Sequence, residues 1–272
     1  MQRRRRQVAA DQSSDRSKHS KELTLYDELK SELVARRCKM KGNLIIAIDG
    51  PSGAGKSTLG RMLARALNLL YIDTGSMYRA LALAVMESSI SASDDIAVGS
   101  LASRVDIDIE GDPDSLRVTL EGRDVTDEIR TEEVTEISSV ISTIPAVRRA
   151  MVKRQREMGK RGAVLNGRDI GTVVFPDADV KFFLTAAPDE RAQRRCTEER
   201  GHKKDVSFEA TLADMIERDR RDSTRDDSPL KVAEDAIVVD STGLSIDEVF
   251  EKMMAAVRKK TGSEDILPEN RT

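Results

Sequence analysis

From Asn43 onward the chain alternates short aliphatic runs with longer stretches of helical spacing. The runs are Leu44 to Ile48, Leu69 to Ile72, Ala163 to Leu165, Val180 to Leu184 and Ala236 to Val239. They are continuous rather than alternating, which reads as strands buried on both faces of a parallel sheet. Between them, apolar positions recurring at helical intervals predict helices over 57–68, 77–88, 145–159, 188–200, 207–222 and 246–259, the third opening on Pro145 as a first helical turn allows. The expected architecture is therefore α/β, a five-stranded parallel sheet with helices on both faces. Residues 105–125 break the rule: Val105-Asp-Ile-Asp-Ile and Leu116-Arg-Val-Thr-Leu alternate around Gly111-Asp112-Pro113-Asp114, predicting a small antiparallel sheet inserted in the parallel scaffold. Ahead of Asn43, residues 1–21 offer almost nothing to bury and read as a disordered arm, followed by a short amphipathic helix carrying Leu23, Leu25, Leu29, Leu33 and Val34. Met40, just before the first strand, is a candidate natural start.

Composition narrows this picture. A chain of 272 residues with 39% hydrophobic positions is one domain or two small ones, and can stay folded without disulfides or a structural metal. Its two cysteines, Cys38 and Cys196, have no metal-ligand spacing, no apolar run reaches membrane-span length, and the opening MQRRRRQ has no apolar stretch behind it. A soluble, cytoplasmic, monomeric protein without a membrane partner is expected. The net charge of −3 is unevenly spread: residues 1–40 carry +5 and the rest −8. An acidic body with no aromatic residue between Arg79 and Val174 does not suit nucleic acid as a partner.

The chemistry begins at Gly50-Pro51-Ser52-Gly53-Ala54-Gly55-Lys56-Ser57, followed by Thr58. This string fits G-x-x-x-x-G-K-[ST] and lies between a predicted strand and a predicted helix, the setting that a phosphate-binding loop requires. Its glycines let successive backbone N–H groups turn toward a polyphosphate, and the helix N-terminus adds partial positive charge. Lys56 would bridge the β- and γ-phosphates of ATP, and the Ser57 hydroxyl would ligate Mg²⁺. A guanine-reading box is absent: His202-Lys203-Lys204-Asp205 lacks the pattern, and Asp108-Ile-Glu-Gly111 is better explained as a hairpin turn. ATPases and small-molecule kinases remain.

Arginine marks a second site. Arg79, Arg148, Arg168, Arg218, Arg221 and Arg225 come from segments that follow or link the strands, where ligands collect in open α/β sheets. On the 207–222 helix, extended one turn, Arg218, Arg221, Asp222 and Arg225 share one face at i, i+3, i+4 and i+7. That face could close over transferring phosphates, or it could be a solvated face held by Arg218–Asp222 and Glu217–Arg221 pairs. Only His19 and His202 are present, so the chemistry does not rest on an imidazole base. An acceptor that is already a phosphate needs none, because its oxygen is nucleophilic without losing a proton.

Four motifs, Ile48-Asp-Gly-Pro-Ser-Gly-Ala-Gly-Lys-Ser-Thr58, Asp73-Thr-Gly-Ser-Met-Tyr-Arg79, Gly167-Arg-Asp-Ile-Gly-Thr-Val-Val-Phe-Pro-Asp177 and Arg218-Asp-Arg-Arg-Asp222, resemble those of the bacterial cytidylate kinases. The likeness runs from about Gly42 to about Lys260. It implies transfer of the ATP γ-phosphate to CMP and dCMP on a P-loop nucleoside-monophosphate kinase fold, with residues 1–39 as an extension, the catalytic domain over 40–262 and a tail over 263–272. Within that domain it implies a monophosphate-binding insertion at about 75–160 and a short helical lid at about 188–228. It also implies that Arg79, Arg168 and Arg225 hold the acceptor phosphate, Arg218 and Asp222 the ribose, and Ser139, Arg148 and Asp169 the cytosine edge. Lys56, Arg168, Arg218 and Arg225 would then be catalytic. Thr74, a substrate-binding position, stands where the resembled family commonly has Ser, and Asn166 where an acidic residue is usual. The competing expectations are a P-loop kinase for another acceptor such as UMP, AMP or shikimate, or an RNA-associated protein using Arg3 to Arg6.

Overall fold

The computed structural model describes residues 43–201 and 206–262, so the arm, its short helix and the 263–272 tail lie outside the described residues. Five strands, β1 (Ile45–Asp49), β2 (Leu70–Asp73), β6 (Ala163–Gly167), β7 (Val180–Thr185) and β8 (Ile237–Asp240), form one parallel sheet in the order β2-β6-β1-β7-β8. Central β1 pairs Ile48 with Asn166 on one side and with Phe182 on the other. Successive residues of the inner strands enter different cores, as strand alternation demands. Ala47, Ile72 and Leu165 face one, while Ile46, Ile48 and Val164 face the other. Double burial explains why these segments read as uninterrupted aliphatic runs.

The second face is covered by α1 (Lys56–Leu67) and α8 (Ile246–Thr261) through Leu59, Leu63, Val249 and Met253. The first is covered by α2 (Thr74–Glu87) and α5 (Pro145–Gly159), with α3 (Asp95–Arg104) and α4 (Glu132–Ile141) beyond them. The antiparallel insertion is present as β3 (Ile107–Glu110), β4 (Arg117–Leu120) and the short β5 (Arg123–Asp124). Asp108-Ile-Glu-Gly111 is indeed a hairpin strand and its turn, with Gly111 at φ 97°. Ile107, Ile109, Val118 and Leu120 point their buried side into the same core as Ala47 and Leu165.

Helices α3 and α4 are additions to the sequence expectation. Each begins with a side-chain cap that satisfies a free amide of the first turn: Asp94 accepts from Ala97 N at 2.9 Å, and Thr131 Oγ1 from Val134 N at 3.3 Å. The remaining helices, α6 (Pro188–Gly201) and α7 (Phe208–Thr224), stand where they were expected, α7 capped by Ser207. A π-turn at Ile170–Val174, with Val174 N bonded to Asp169 O at 3.1 Å, follows β6 and was not foreseen.

Candidate active site

Strand β1 ends at Asp49 and the phosphate loop follows at once. Gly50 has φ 147° and lies so close to β7 that a Cβ would fall on the Leu184 carbonyl oxygen, so only glycine lets the chain turn there. Gly55 takes φ 91° as the N-cap of α1, and Gly53 is likewise at positive φ. Pro51 O accepts the Lys56 ammonium at 2.5 Å, folding the lysine back over the loop. Burial, then the nearby Arg168 and Arg218, hold the Lys56 pKa well below the usual lysine range.

The loop forms the floor of a cavity of about 950 Å³ at the C-terminal ends of the strands. Lys56, Ser57 and Thr58 line it with Thr74, Arg79, Arg148, Arg168, Asp169, Arg218, Asp222 and Arg225. Segments separated along the chain are thus brought to one crevice, where a doubly covered sheet places ligands. Arg79 is aimed by α2: its Nη2 donates to Ser76 Oγ at 2.7 Å and reaches Asp73 Oδ2 at 3.4 Å, while Asp73 also caps the helix on Gly75 N. Thr74 Oγ1 donates to Asn166 O at 2.8 Å, tying the start of α2 to β6.

The arginines divide into two groups. Arg168 Nε donates to Asp222 Oδ2 at 2.7 Å, and Arg225 Nη1 stands 3.6 Å from Asp222 Oδ1. Burial works against the Asp222 anion, but Arg168 and Arg218 prevail and hold its pKa below the usual carboxylate range. Arg218 has no hydrogen bond or ion pair among the described residues; burial and then Arg168 lower its pKa to about 10. In the cavity wall, Arg148 Nη2 bonds Asp169 Oδ2, and Arg225 Nη2 lies 3.8 Å from Asp169 Oδ1. The Arg148 and Asp169 side chains are only 3% and 8% exposed, so this pair is shielded from bulk water. Arg148 also sits over the Tyr78 ring, 5.9 Å from its centroid, and burial pushes the Tyr78 hydroxyl up to about 12.

One expected position falls elsewhere. Arg221 is turned away from the cavity toward Glu217, 3.9 Å off, because a face holding residues 218, 222 and 225 leaves 221 at its margin. Ser139 is buried in α4 between Ser138 and Ser142, which line the cavity. The salt-bridged alternative for α7 is only half present, since Asp222 pairs with Arg168 and Arg225 rather than Arg218.

Three functional-looking residues were not singled out from the sequence: Asp49 and Asp219 lie inside quoted motifs, and Arg191 lies in none. Asp219 accepts from Ser52 N at 3.2 Å and from Arg191 Nη1 at 2.5 Å, while Arg191 Nη1 also donates to Ser52 O at 2.9 Å, so α6 and α7 both grip the phosphate loop. Asp49 accepts from the Ile170 and Gly171 amides.

A divalent ion has oxygen donors here. Asn166 Nδ2 donates to Ser57 Oγ at 3.1 Å, leaving Asn166 Oδ1 buried without a partner next to that hydroxyl. These are hard donors of the kind Mg²⁺ prefers. Among the described residues no cluster of three His, Cys, Asp or Glu side chains can hold an ion unaided. The Ser57 and Asn166 oxygens fit a metal that is also held by nucleotide phosphates.

A glycine-rich loop opening a helix at the centre of a parallel sheet, facing a crevice lined with arginines, defines a P-loop phosphotransferase. The family model for cytidylate kinase matches residues 46–259, and the chain belongs to that family. It is 46% identical over 226 residues to the cytidylate kinase of Geobacter sp. (strain M21), covering 83% of this chain and 97% of that one. It is 51% identical over 216 residues to the cytidylate kinase of Desulforamulus reducens, covering 79% of this chain and 96% of its relative.

Proposed function

We propose that this chain transfers the γ-phosphoryl group of ATP to CMP and dCMP, giving ADP and the corresponding diphosphate. The observation that carries this reading is the buried Arg148–Asp169 pair in the wall of the same cavity whose floor is the phosphate loop. A carboxylate beside a guanidinium complements cytosine, which presents an amino donor next to ring acceptors. Gly50 to Thr58 hold the donor phosphates, Arg79, Arg168 and Arg225 the acceptor phosphate, and Arg218 with Asp222 the ribose. Arg148 and Asp169 read the base together with the hydroxyl of Ser139. Ser57 and Asn166 would hold Mg²⁺, which would supply charge neutralisation to the donor phosphates.

Chemistry then needs little beyond placement and charge. An oxygen of the acceptor phosphate attacks the γ-phosphorus while the bond to the β–γ bridging oxygen breaks, and that electron pair leaves with ADP. Lys56, Arg168, Arg218 and Arg225 are aimed where negative charge spreads in the transition state, and being fixed beforehand they require no reorganisation as it forms. A coupled ADP-release assay across the common nucleoside monophosphates with ATP and Mg²⁺ tests this. CMP and dCMP should lead; UMP or AMP turned over with equal kcat/KM would overturn the assignment of the base.

A further inference from the structure

Asp49 has no role in the mechanism above, yet it is buried at the junction of its two halves. It is the last residue of β1, one position before Gly50. Its Oδ1 accepts from Ile170 N at 2.8 Å and its Oδ2 from Gly171 N at 2.7 Å. Those are the two leading amides of the π-turn, which, like the first amides of any helix, have no acceptor within their own element. Arg168 and Asp169 immediately precede that turn, and the turn is packed tightly on the end of β1. A Cβ at Gly171 would lie 3.4 Å from Asp49 Oδ2 and 3.1 Å from Lys181 Cδ. A π-turn is a rare element, seen mostly where function requires it, and here both of its leading amides are held by one carboxylate.

We propose that Asp49 is a positioning residue that splints the phosphate loop to the turn carrying Arg168 and Asp169, setting acceptor recognition in register with the donor. An aspartate offers two acceptors at this reach. An asparagine keeps one and turns its NH₂ donor toward the other amide, and a glutamate is a methylene too long for the space. The side chain makes no bond to the phosphate loop's amides, so its loss acts on the acceptor half. This rests on the reading of Asp169 as the group facing cytosine.

The test uses the full chain as wild type, D49N, G171A and D169N; G171A presses on the same contact from the turn side. Amide exchange by NMR without nucleotide should accelerate at Ile170 and Gly171 by about tenfold or more in D49N, the order set by one lost charge-assisted hydrogen bond. Exchange within the β1–β6 ladder should not change. In kinetics, D49N and G171A should each raise KM for CMP by about tenfold and narrow the lead of CMP over UMP, with KM for ATP within about twofold of wild type. Unchanged exchange at the two amides, or an ATP KM that rises as much as that of CMP, would overturn the proposal. If D169N leaves the CMP:UMP ratio intact, the reading of Asp169 fails by itself, and the two amides with the CMP KM still decide the role of Asp49.

Discussion

Replacing Asp169 by Asn is the most searching perturbation of the base-reading wall, because stability and specificity should move together. The carboxylate is the anion for two guanidiniums, bonded to Arg148 and 3.8 Å from Arg225. Arg148 Nε already lacks an acceptor, and only the Ser142 carbonyl, at 3.2 Å, would be left to receive the rest of that guanidinium. Breaking a buried pair from one side costs roughly 3–5 kcal/mol; the retained Asn Oδ1 argues for about 3. For a domain of this size that is a fall in Tm of about 6–12 °C, readable by circular dichroism. In the assay, a neutral amide can donate as well as accept, so cytosine loses its advantage over uracil. kcat/KM for CMP should fall and the CMP:UMP ratio should narrow by about 10², while KM for ATP stays put. Arg79→Ala is the control, weakening both monophosphates alike through their shared phosphate. A Tm within about 2 °C of wild type, or an unchanged CMP:UMP ratio, would refute the reasoning.

Lys56→Ala should lower kcat by about 10² or more with the circular dichroism spectrum intact, as expected of a group aimed at transition-state charge; near-normal kcat would remove the loop from the mechanism. Asn166→Asp adds a negative charge beside Ser57 and should lower the Mg²⁺ concentration needed for half-maximal rate without altering nucleotide choice. Burial pushes the Asp49 carboxyl from 3.8 up to about 6, against the opposing amides of Gly171 and Ile170. The folded state therefore binds a proton in the window between those values that the unfolded chain has released. Relative to Asp49→Asn, which does not titrate, wild type should lose up to about 3 kcal/mol as pH rises through that window, measured by urea denaturation from pH 3.5 to 7. An offset between the two proteins that does not vary with pH would show that Asp49 ionises normally.

Most of the parallel sheet was legible because inner strands buried on both faces are aliphatic along most of their length; Leu44, Leu69 and Ala236 sit just outside the strands expected to start there, and β8, at the sheet edge, leaves Val238 exposed instead of buried on both faces. Helices α3 and α4 escaped because each spans only 10 residues, too few for a periodic pattern to stand out. Their real signals are the caps, Asp94 and Thr131. Ser138 lines the cavity and interrupts the apolar stripe of α4. The phosphate loop was legible because its glycines have fixed spacing for steric reasons. The arginine face was legible in outline only, since helical spacing brings 218, 222 and 225 together but does not say that 221 lies at the margin. The contacts of Asp49 and Asp219 were not legible, although both residues lie in the quoted motifs. Their partners are backbone amides 121 and 167 positions away, and backbone groups leave no trace in a sequence.

The two sides of the crevice are built with very different apolar support. The inserted sheet and helices α2 to α5 share a continuous core with one face of the parallel sheet. The buried apolar side chains of α6 and α7 among the described residues are Ala192, Cys196 and Met215, which join neither core. What fastens this pair is largely polar: Arg191 and Asp219 bond each other and the carbonyl and amide of Ser52, Arg194 donates to Ser241 O, and Glu190 accepts from Gly243 N. Polar fastenings can be exchanged for water at low cost, whereas a shared core opens only as a whole. The α6–α7 pair is therefore expected to open locally before the inserted sheet does, and limited proteolysis of the native enzyme should cut within the pair first.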